Sequence, residues 1–206
     1  MTFELPLRNQ PAVGTVLHTL RRTFLAAAAS LVVASCATQT IPAADQYLDE
    51  KTTATVTVAS HPLIFARGRP EFAVNARDYL TLVPVDVNRA GTHALYFYCY
   101  LWSTIDKRVA PDETGPLPRI VLTADGRVIP LTPAPGAPAD LGLSQYPLPA
   151  PADNVQVLVS VTTPEIIRFV ADSGDVRVVF ERTGLSASYE LWDDGRSAMS
   201  AFLDEF

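Results

Sequence analysis

The segment from Leu95 to Trp102 constrains the fold more than any other part of the chain, because both of its alternating faces are apolar or aromatic. A strand with two such faces needs cover on both sides, which predicts a central strand whose phenol and indole groups reach polar partners at the edge of the core. If the aromatic face were exposed, it would instead be a docking surface for a partner or a glycan. A period of two places Leu95, Phe97, Cys99 and Leu101 on one face, and Tyr96, Tyr98, Tyr100 and Trp102 on the other.

Further strands are indicated by short segments rich in β-branched and aromatic residues. Asp125 and Gly126 separate two of these segments and suit the tight turn of a hairpin. Pro84 interrupts another, and proline in a strand predicts an edge position or a bulge. The segments are Thr53–Val58, Pro62–Phe65, Tyr79–Val87, Arg119–Thr123, Arg127–Leu131, Val155–Val161, Val176–Phe180 and Ser188–Trp192.

Two helices are predicted in the last quarter of the chain. Thr163 can cap a short internal helix in which Pro164 takes the first position and Glu165 meets the positive helix end. Arg196–Phe206 has the pattern of an amphipathic C-terminal helix. Together these features predict a mainly β, antiparallel, sandwich-like domain with one short internal helix and a C-terminal helix. The side chains expected to be buried from the C-terminal helix are Met199, Phe202, Leu203 and Phe206.

The segment at about 130–154 is rich in proline and carries seven of the 17 prolines of the chain. Proline lacks a backbone N–H, so this density excludes regular hydrogen-bonded structure. The sequence predicts a long loop that lies on the surface, and two roles remain open for it: packing along the sheet or a functional role.

The first 35 residues have the order of a secretory signal. Arg21 and Arg22 precede a run of about ten apolar residues, which is followed by small residues. A helix that spans a membrane needs roughly 20 apolar residues, so this run is too short to be one. Export followed by removal of the segment is the expectation.

The end of this segment, Val33-Ala34-Ser35-Cys36, resembles the lipobox of bacterial lipoproteins. The resemblance implies that Cys36 is lipidated and becomes the first residue of the mature chain, and that Ala37 directs the protein to the outer membrane, facing the periplasm. Several acyl chains on one residue anchor a protein stably. An ordinary secretory signal with an incidental cysteine is the alternative.

Arg21 and Arg22 also resemble part of the twin-arginine pattern of folded-protein export. The same pair satisfies the basic region of an ordinary secretory signal. Both export routes therefore remain open.

The predicted domain organisation is an export signal at 1–35, a lipidated N-terminus and tether at 36–50, and a single β-rich domain at 51–206. The whole chain has a formal charge of −6. Loss of residues 1–35 removes three arginines and one glutamate, which leaves 13 basic and 21 acidic side chains and a charge of −8. Such a balance excludes nucleic acid as a partner.

Motifs for metal or cofactor chemistry are not found in the sequence, so no cofactor and no metal is predicted. His61 and His93 lie far apart and lack ligand spacing for zinc. Cys99 would be the only cysteine besides a lipidated Cys36, which excludes an intramolecular disulfide, and its apolar surroundings favour an inert thiol over a nucleophile. Asp193-Asp194-Gly195 fits a solvated turn better than a calcium loop.

Three arginines, Arg67, Arg69 and Arg77, form the only polar constellation that stands out in this acidic chain. Guanidinium groups bind carboxylates and phosphates with two hydrogen bonds, so these residues are a candidate anion-binding site. The alternative is internal pairing with nearby acids. The available acids are Glu71, Asp78 and Asp86.

From localisation and the lack of catalytic motifs we expect a lipid-anchored envelope protein that acts as a non-catalytic binding or scaffolding subunit. Its expected partners are the membrane, through the lipid anchor, and a protein of an envelope assembly. The alternatives are an envelope hydrolase or transferase with an unrecognised carboxylate site and a module that binds a small ligand or a glycan. The sequence leaves enzymatic activity open.

Overall fold

The computed structural model describes residues 44–105, 119–135, 139–153, 155–182 and 185–205. These residues form a mainly β, antiparallel domain with one short internal helix and one C-terminal helix, which confirms the predicted fold class. The strands are β1 (Ala44–Asp49), β2 (Ala54–Ala59), β3 (Leu63–Gly68), β4 (Arg77–Arg89), β5 (Thr92–Ser103), β6 (Arg119–Ala124), β7 (Arg127–Leu131), β8 (Gln156–Val161), β9 (Val176–Arg182) and β10 (Leu185–Asp193). The helices are α1 (Pro164–Asp172) and α2 (Arg196–Phe202), and a 3₁₀ turn follows at Leu203–Glu205.

All ten described strands belong to one hydrogen-bonded sheet in which β4 and β5 form the longest pair. β5 also pairs with β8, so the strand predicted to be central has neighbours on both sides. On the other edge of β4, the C-terminal half of the strand pairs with β2, and β2 pairs with β1. The other half pairs with β3 and leads through β10, β9 and β6 to β7.

The chain just after β7, the last strand in the sheet order, contacts β8. Pro133, two residues beyond β7, bridges Ser160 of β8, and the N–H of Ala134 donates to the carbonyl oxygen of Val159 at 2.6 Å. Leu131 of β7 and Leu158 of β8 accordingly belong to the same buried cluster, together with side chains from both helices. The sheet therefore curves around a single core.

Pro84 lies in the middle of β4, which has neighbouring strands on both sides. The expectation of an edge strand or a bulge is wrong. The ladder with β3 reaches Leu82, and the ladder with β2 begins at Val85, so neither strand pairs with Pro84. A residue without a backbone N–H fits this gap because no ladder bond is needed on that side.

The predicted turn and cap residues are confirmed. Asp125 and Gly126 both have positive φ angles, 45° and 80°, as a two-residue hairpin turn requires. The Thr163 side chain accepts the N–H of Ile166 at 3.4 Å, and Pro164 opens α1. In the C-terminal helical segment the expected side chains Met199, Phe202 and Leu203 are buried, whereas Phe206 lies outside the described residues.

The sheet begins earlier than the sequence indicates. Ala44–Asp49 form β1, which pairs with β2 along its full length, although these residues fall in the segment assigned to the tether. The remaining part of the predicted tether, the lipidation residue Cys36 and the export residues Arg21 and Arg22 lie outside the described residues. Within the described ranges, no helix has both the length and the apolar character that a membrane crossing requires.

The proline-rich segment packs along the sheet. Pro130 lies in β7, at the end of the strand order, where the loss of an N–H is tolerated. Leu143 is fully buried, and the N–H of Ser144 donates to the Asp49 carboxylate at 2.6 Å. Residues 139–153 are turns, bends and coil, and Leu148 also packs against the buried core.

Candidate functional site

Most of the aromatic face of β5 is core. Tyr98 and Tyr100 are 0% and 1% exposed, and burial raises the pKa of both phenols. The Tyr100 hydroxyl accepts the N–H of Leu148 at 3.1 Å, so the proline-rich loop covers this part of the face. The docking interpretation fails for these two residues, and Tyr96 is half-buried at the same end of the strand.

Trp102 lies at the other end of the same face and has a different environment. Its ring stacks on that of Tyr79, its cross-strand partner, with centroids 4.2 Å apart and planes 13° apart. Its indole N–H donates to Thr81 at 3.3 Å. The aromatic face of β5 thus ends in a pair of stacked rings that are partly buried.

Trp192 of β10 extends this pair. Its ring meets Tyr79 edge to face, with centroids 6.4 Å apart and planes 80° apart. The register between β10 and β3 shifts between Leu191 and Asp193, so Trp192 is the extra residue of a bulge. Bulges redirect side chains and are common beside functional sites. Trp192 remains 57% exposed, which is unusual for the largest apolar side chain.

Arg77 completes the cluster. Its guanidinium carbon lies 4.6 Å from the centroid of the Trp192 ring, within the distance of a cation–π contact. We call the four residues Arg77, Tyr79, Trp102 and Trp192 the arginine–aromatic platform. Arg77 comes from the three arginines predicted to bind an anion, and Trp102 comes from the predicted aromatic face. The sequence assigned the other two residues, Tyr79 and Trp192, to strands and to no site.

The contact between Arg77 and the indole does not consume the hydrogen-bond donors of the guanidinium. A guanidinium carries five N–H donors, and a cation–π contact requires none of them as a hydrogen bond. Among the described residues, no acceptor bonds the Arg77 side chain. The cross-strand neighbour of Arg77 is Gly68, where an added Cβ would meet nothing within 4 Å. The space beside Arg77 is therefore open.

The other two arginines of the predicted anion site have different surroundings. Arg69 donates to Glu71 and to Asp78, each at 2.6 Å, and this contact lowers the pKa of Glu71. Internal pairing is thus confirmed for Arg69. Arg67 lies opposite Asp78 in the ladder, whereas Arg77 lies opposite Gly68, so the two side chains point to opposite faces of the sheet. The three arginines do not form one site.

Asp86 and His93 form a second polar constellation, near the turn between β4 and β5. Asp86 is 1% exposed, burial raises its pKa, and its Oδ2 lies 2.8 Å from His93 Nδ1. Asn88 accepts the N–H of Gly91 through Oδ1, so its amide nitrogen faces His93 Nε2 at 3.2 Å. Nε2 is then the acceptor, which leaves the proton on Nδ1 for Asp86.

The second oxygen of Asp86, Oδ1, has no hydrogen-bond partner among the described residues. Asp86 and His93 lie seven positions apart on two different strands. No local pattern in the sequence therefore predicted their contact. Because Nε2 is already engaged by Asn88, the pair can hold a proton but has no ring nitrogen directed at an incoming substrate.

The remaining candidates have structural environments. Cys99 is fully buried, and burial raises the pKa of its thiol, as expected for an inert cysteine. His61 Nε2 lies 3.1 Å from Asp193, and Asp194 pairs with Arg196 at 2.6 Å. In the part of the chain that the structure describes, no group of three or more metal-ligating side chains is present.

Tyr79 and Trp192 are the site residues that sequence reasoning did not single out. Both have the alternation of ordinary strand residues, and neither belongs to a motif. The one available signal was the position of Trp192 at the predicted end of a strand, directly before two aspartates. No family model, curated protein or solved structure matches this chain.

Proposed function

We propose that this chain is a lipid-anchored cell-envelope protein whose β domain acts by non-catalytic binding through the arginine–aromatic platform. The lipobox-like end of the export segment, with Cys36 as its lipidated residue, supports the location. The exposure of Trp192 under a guanidinium supports the binding role.

The exposed Trp192 is the observation on which the binding role depends. A tryptophan that stays 57% exposed forgoes part of the stabilisation that burial would provide, which is on the order of 25 cal/mol per Å². Tryptophan, tyrosine and arginine are also the residue types that contribute most to binding energy at interfaces. The platform contains only these types.

Binding is favoured over catalysis by the arrangement at Asp86 and His93. This pair is the one place where a buried carboxylate with a raised pKa contacts a histidine in the described residues, yet Asn88 occupies the second ring nitrogen. The platform, by contrast, presents a cation whose donors are available. A scaffold role in an envelope assembly and a ligand-binding role both use such a surface.

Photo-crosslinking in cells tests the binding role. Benzoylphenylalanine in place of Trp192 keeps an aromatic group in the platform, and the same residue in place of Val128, which is 62% exposed on β7, is the matched control. We expect a defined adduct from position 192, little from position 128, and a weaker adduct when Arg77→Gln is added. Equal adducts from both positions, or none from position 192, would contradict the proposal.

The anchor is tested separately with Cys36→Ser. We expect this variant to leave the membrane fraction and to lose incorporation of labelled palmitate. Unchanged membrane attachment of Cys36→Ser would contradict the anchor without affecting the binding role.

A further inference from the structure

The strands that carry the platform pair with neighbouring strands over most of their length. β3 lies between β4 and β10, β4 lies between β3 and β5, and β10 lies between β3 and β9. Peptides that bind to sheets usually add a strand to an exposed edge, where backbone groups are unpaired. The platform itself is formed by side chains on a face of the sheet, so we expect its ligand to be recognised by side chains.

Those side chains offer three kinds of chemistry on one face. Trp192 provides an exposed ring, and Arg77 provides charged N–H donors. Glu190 provides a carboxylate, because it pairs with Ala66, which in turn pairs with Tyr79, and cross-strand partners share a face. The other cross-strand partner of Glu190 is Arg177, whose pKa is raised first by Asp175 and then by Glu190, so the charge of Glu190 is partly offset.

We propose that the platform binds a saccharide chain that carries a carboxylate-bearing sugar. The apolar C–H face of a pyranose ring covers the exposed surface of Trp192, the acid group accepts the N–H donors of Arg77, and Glu190 accepts hydrogen bonds from sugar hydroxyls. This inference rests on the proposed binding function and adds the class of ligand. A neutral sugar offers Arg77 only uncharged oxygen acceptors, which give weaker hydrogen bonds than the two charge-assisted bonds of a carboxylate.

The open space at Gly68 gives the acid group room to approach. Gly68 is the cross-strand neighbour of Arg77, its φ angle is not in the left-handed region, and a Cβ there would meet nothing within 4 Å. A β-branched side chain is compatible with a strand position. Gly68→Val is therefore expected to fold normally and to occupy the space beside Arg77.

The test is calorimetric titration of the purified full chain in detergent with two matched probes. These are an α-1,4-linked tetramer of galacturonate and its methyl ester, which has the same sugar and linkage but no charge. We expect the acid to bind about tenfold more tightly than the ester at low salt, and the difference to shrink as salt is added. Trp192→Ala should weaken binding of both probes.

Substitutions test whether Arg77 causes the difference in affinity between the acid and the ester. Arg77→Gln should bring the affinity for the acid down to that for the ester, and Gly68→Val should weaken binding of the acid. Arg127→Gln is the matched control, because Arg127 also lies over an aromatic ring, that of Phe169 at 5.0 Å, outside the platform. The control should bind both probes like the unmodified protein.

Several results would overturn the inference: equal affinities for acid and ester, an Arg77→Gln variant that still distinguishes them, or equal binding of a glutamate tetrapeptide. Binding of neither probe, combined with a protein adduct from position 192, would overturn the saccharide but leave the binding function intact. Binding of neither probe and no adduct would overturn both.

Discussion

Asp49, at the end of β1, accepts the backbone N–H of Ser144 at 2.6 Å and so ties the proline-rich loop to the sheet. The other carboxylate oxygen accepts the N–H groups of Lys51 and Thr52 at 3.1 and 3.3 Å. The bond from Ser144 is the main cause of the lowered pKa of Asp49, and those from Thr52 and Lys51 add to it. One side chain thus holds both the turn after β1 and a loop that lies about 95 residues further along the chain.

Asp49→Asn should loosen this loop, because an amide can accept on only one side. We expect proteolytic cleavage within residues 139–153 to be faster by at least about fivefold while the sheet stays folded. Asp45→Asn, on the same strand at an exposed position, is the control and should leave the cleavage rate unchanged.

The pH dependence of the same cleavage has a defined sign. The pKa of Asp49 is lowered in the folded protein. The stabilisation that its carboxylate provides is therefore present above the unfolded pKa of about 3.9 and is lost as pH falls through the folded pKa. An acid protease should therefore cut the loop of the unmodified protein faster as pH falls below about 4. If the unmodified protein and Asp49→Asn were cleaved at the same rate at neutral pH, the result would contradict the role of this carboxylate.

Gly195, which precedes α2, is expected to tolerate no side chain. A Cβ at this position would lie 2.5 Å from the carbonyl oxygen of Pro62 and closer still to that of His61. Both atoms are backbone and cannot rotate away. Gly195→Ala should lower the free energy of unfolding by about 1–3 kcal/mol, measured by urea denaturation.

Gly174→Ala is the matched control for this prediction. Its Cβ would meet only an oxygen of Asp125, at 3.6 Å, which is an ordinary contact. This variant should differ from the unmodified protein by no more than about 0.5 kcal/mol. Similar losses in both variants would mean that the close approach at Gly195 is not the cause.

The sequence predicted most strands, the hairpin at Asp125 and the cap at Thr163, because each depends on residues that are close along the chain. β1 was assigned to the tether, since its residues Ala44–Asp49 lack β-branched side chains and pair only because β2 is beside them. Pro84 was assigned to an edge or a bulge, since the gap between two pairing partners is a property of the sheet.

The candidate site was predicted only in part for the same reason. Arg77 and Trp102 were singled out by type, but they lie 25 positions apart, and Trp192 is a further 90 positions along the chain. Cross-strand register and a bulge bring them together, and neither can be read from local alternation. The burial of Tyr98 and Tyr100 likewise depends on the proline-rich loop, which is held in place by hydrogen bonds to Asp49 and to Tyr100.

Asp86 should make the protein less stable as pH rises above the unfolded value of about 3.9, because burial raises its folded pKa. A raised pKa means that its contribution is fully present below the unfolded value of about 3.9 and is lost as pH rises towards the folded value. Asp86→Asn cannot titrate. The free energy of unfolding of this variant, relative to the unmodified protein, should therefore increase over that range in urea titrations.

Asp125 provides a control of opposite sign. Its pKa is lowered, first by the N–H of Asp175 and then by that of Gly174, so its contribution to stability is fully present above the unfolded value of about 3.9 and is lost as pH falls through the folded value. Asp125→Asn keeps a side chain that tolerates the positive φ angle of the turn. The stability of Asp125→Asn relative to the unmodified protein should fall as pH rises towards about 3.9, whereas that of Asp86→Asn should increase above this pH. Changes of the same sign in the two variants would contradict both assignments.

Cys99 should report global unfolding. The thiol is fully buried in a strand paired on both sides, and burial raises its pKa, so the reactive thiolate is suppressed in the folded state. In a Cys36→Ser background, iodoacetamide labelling at pH 8 should be slower in buffer than in urea by at least about 10³-fold, since access requires opening of the core. The core variant Leu82→Ala, which removes the cross-strand neighbour of Cys99, should speed labelling in proportion to its loss of stability. Rapid labelling of the unmodified core, at a rate independent of stability, would mean that Cys99 is reached by a local opening of β5 or β8.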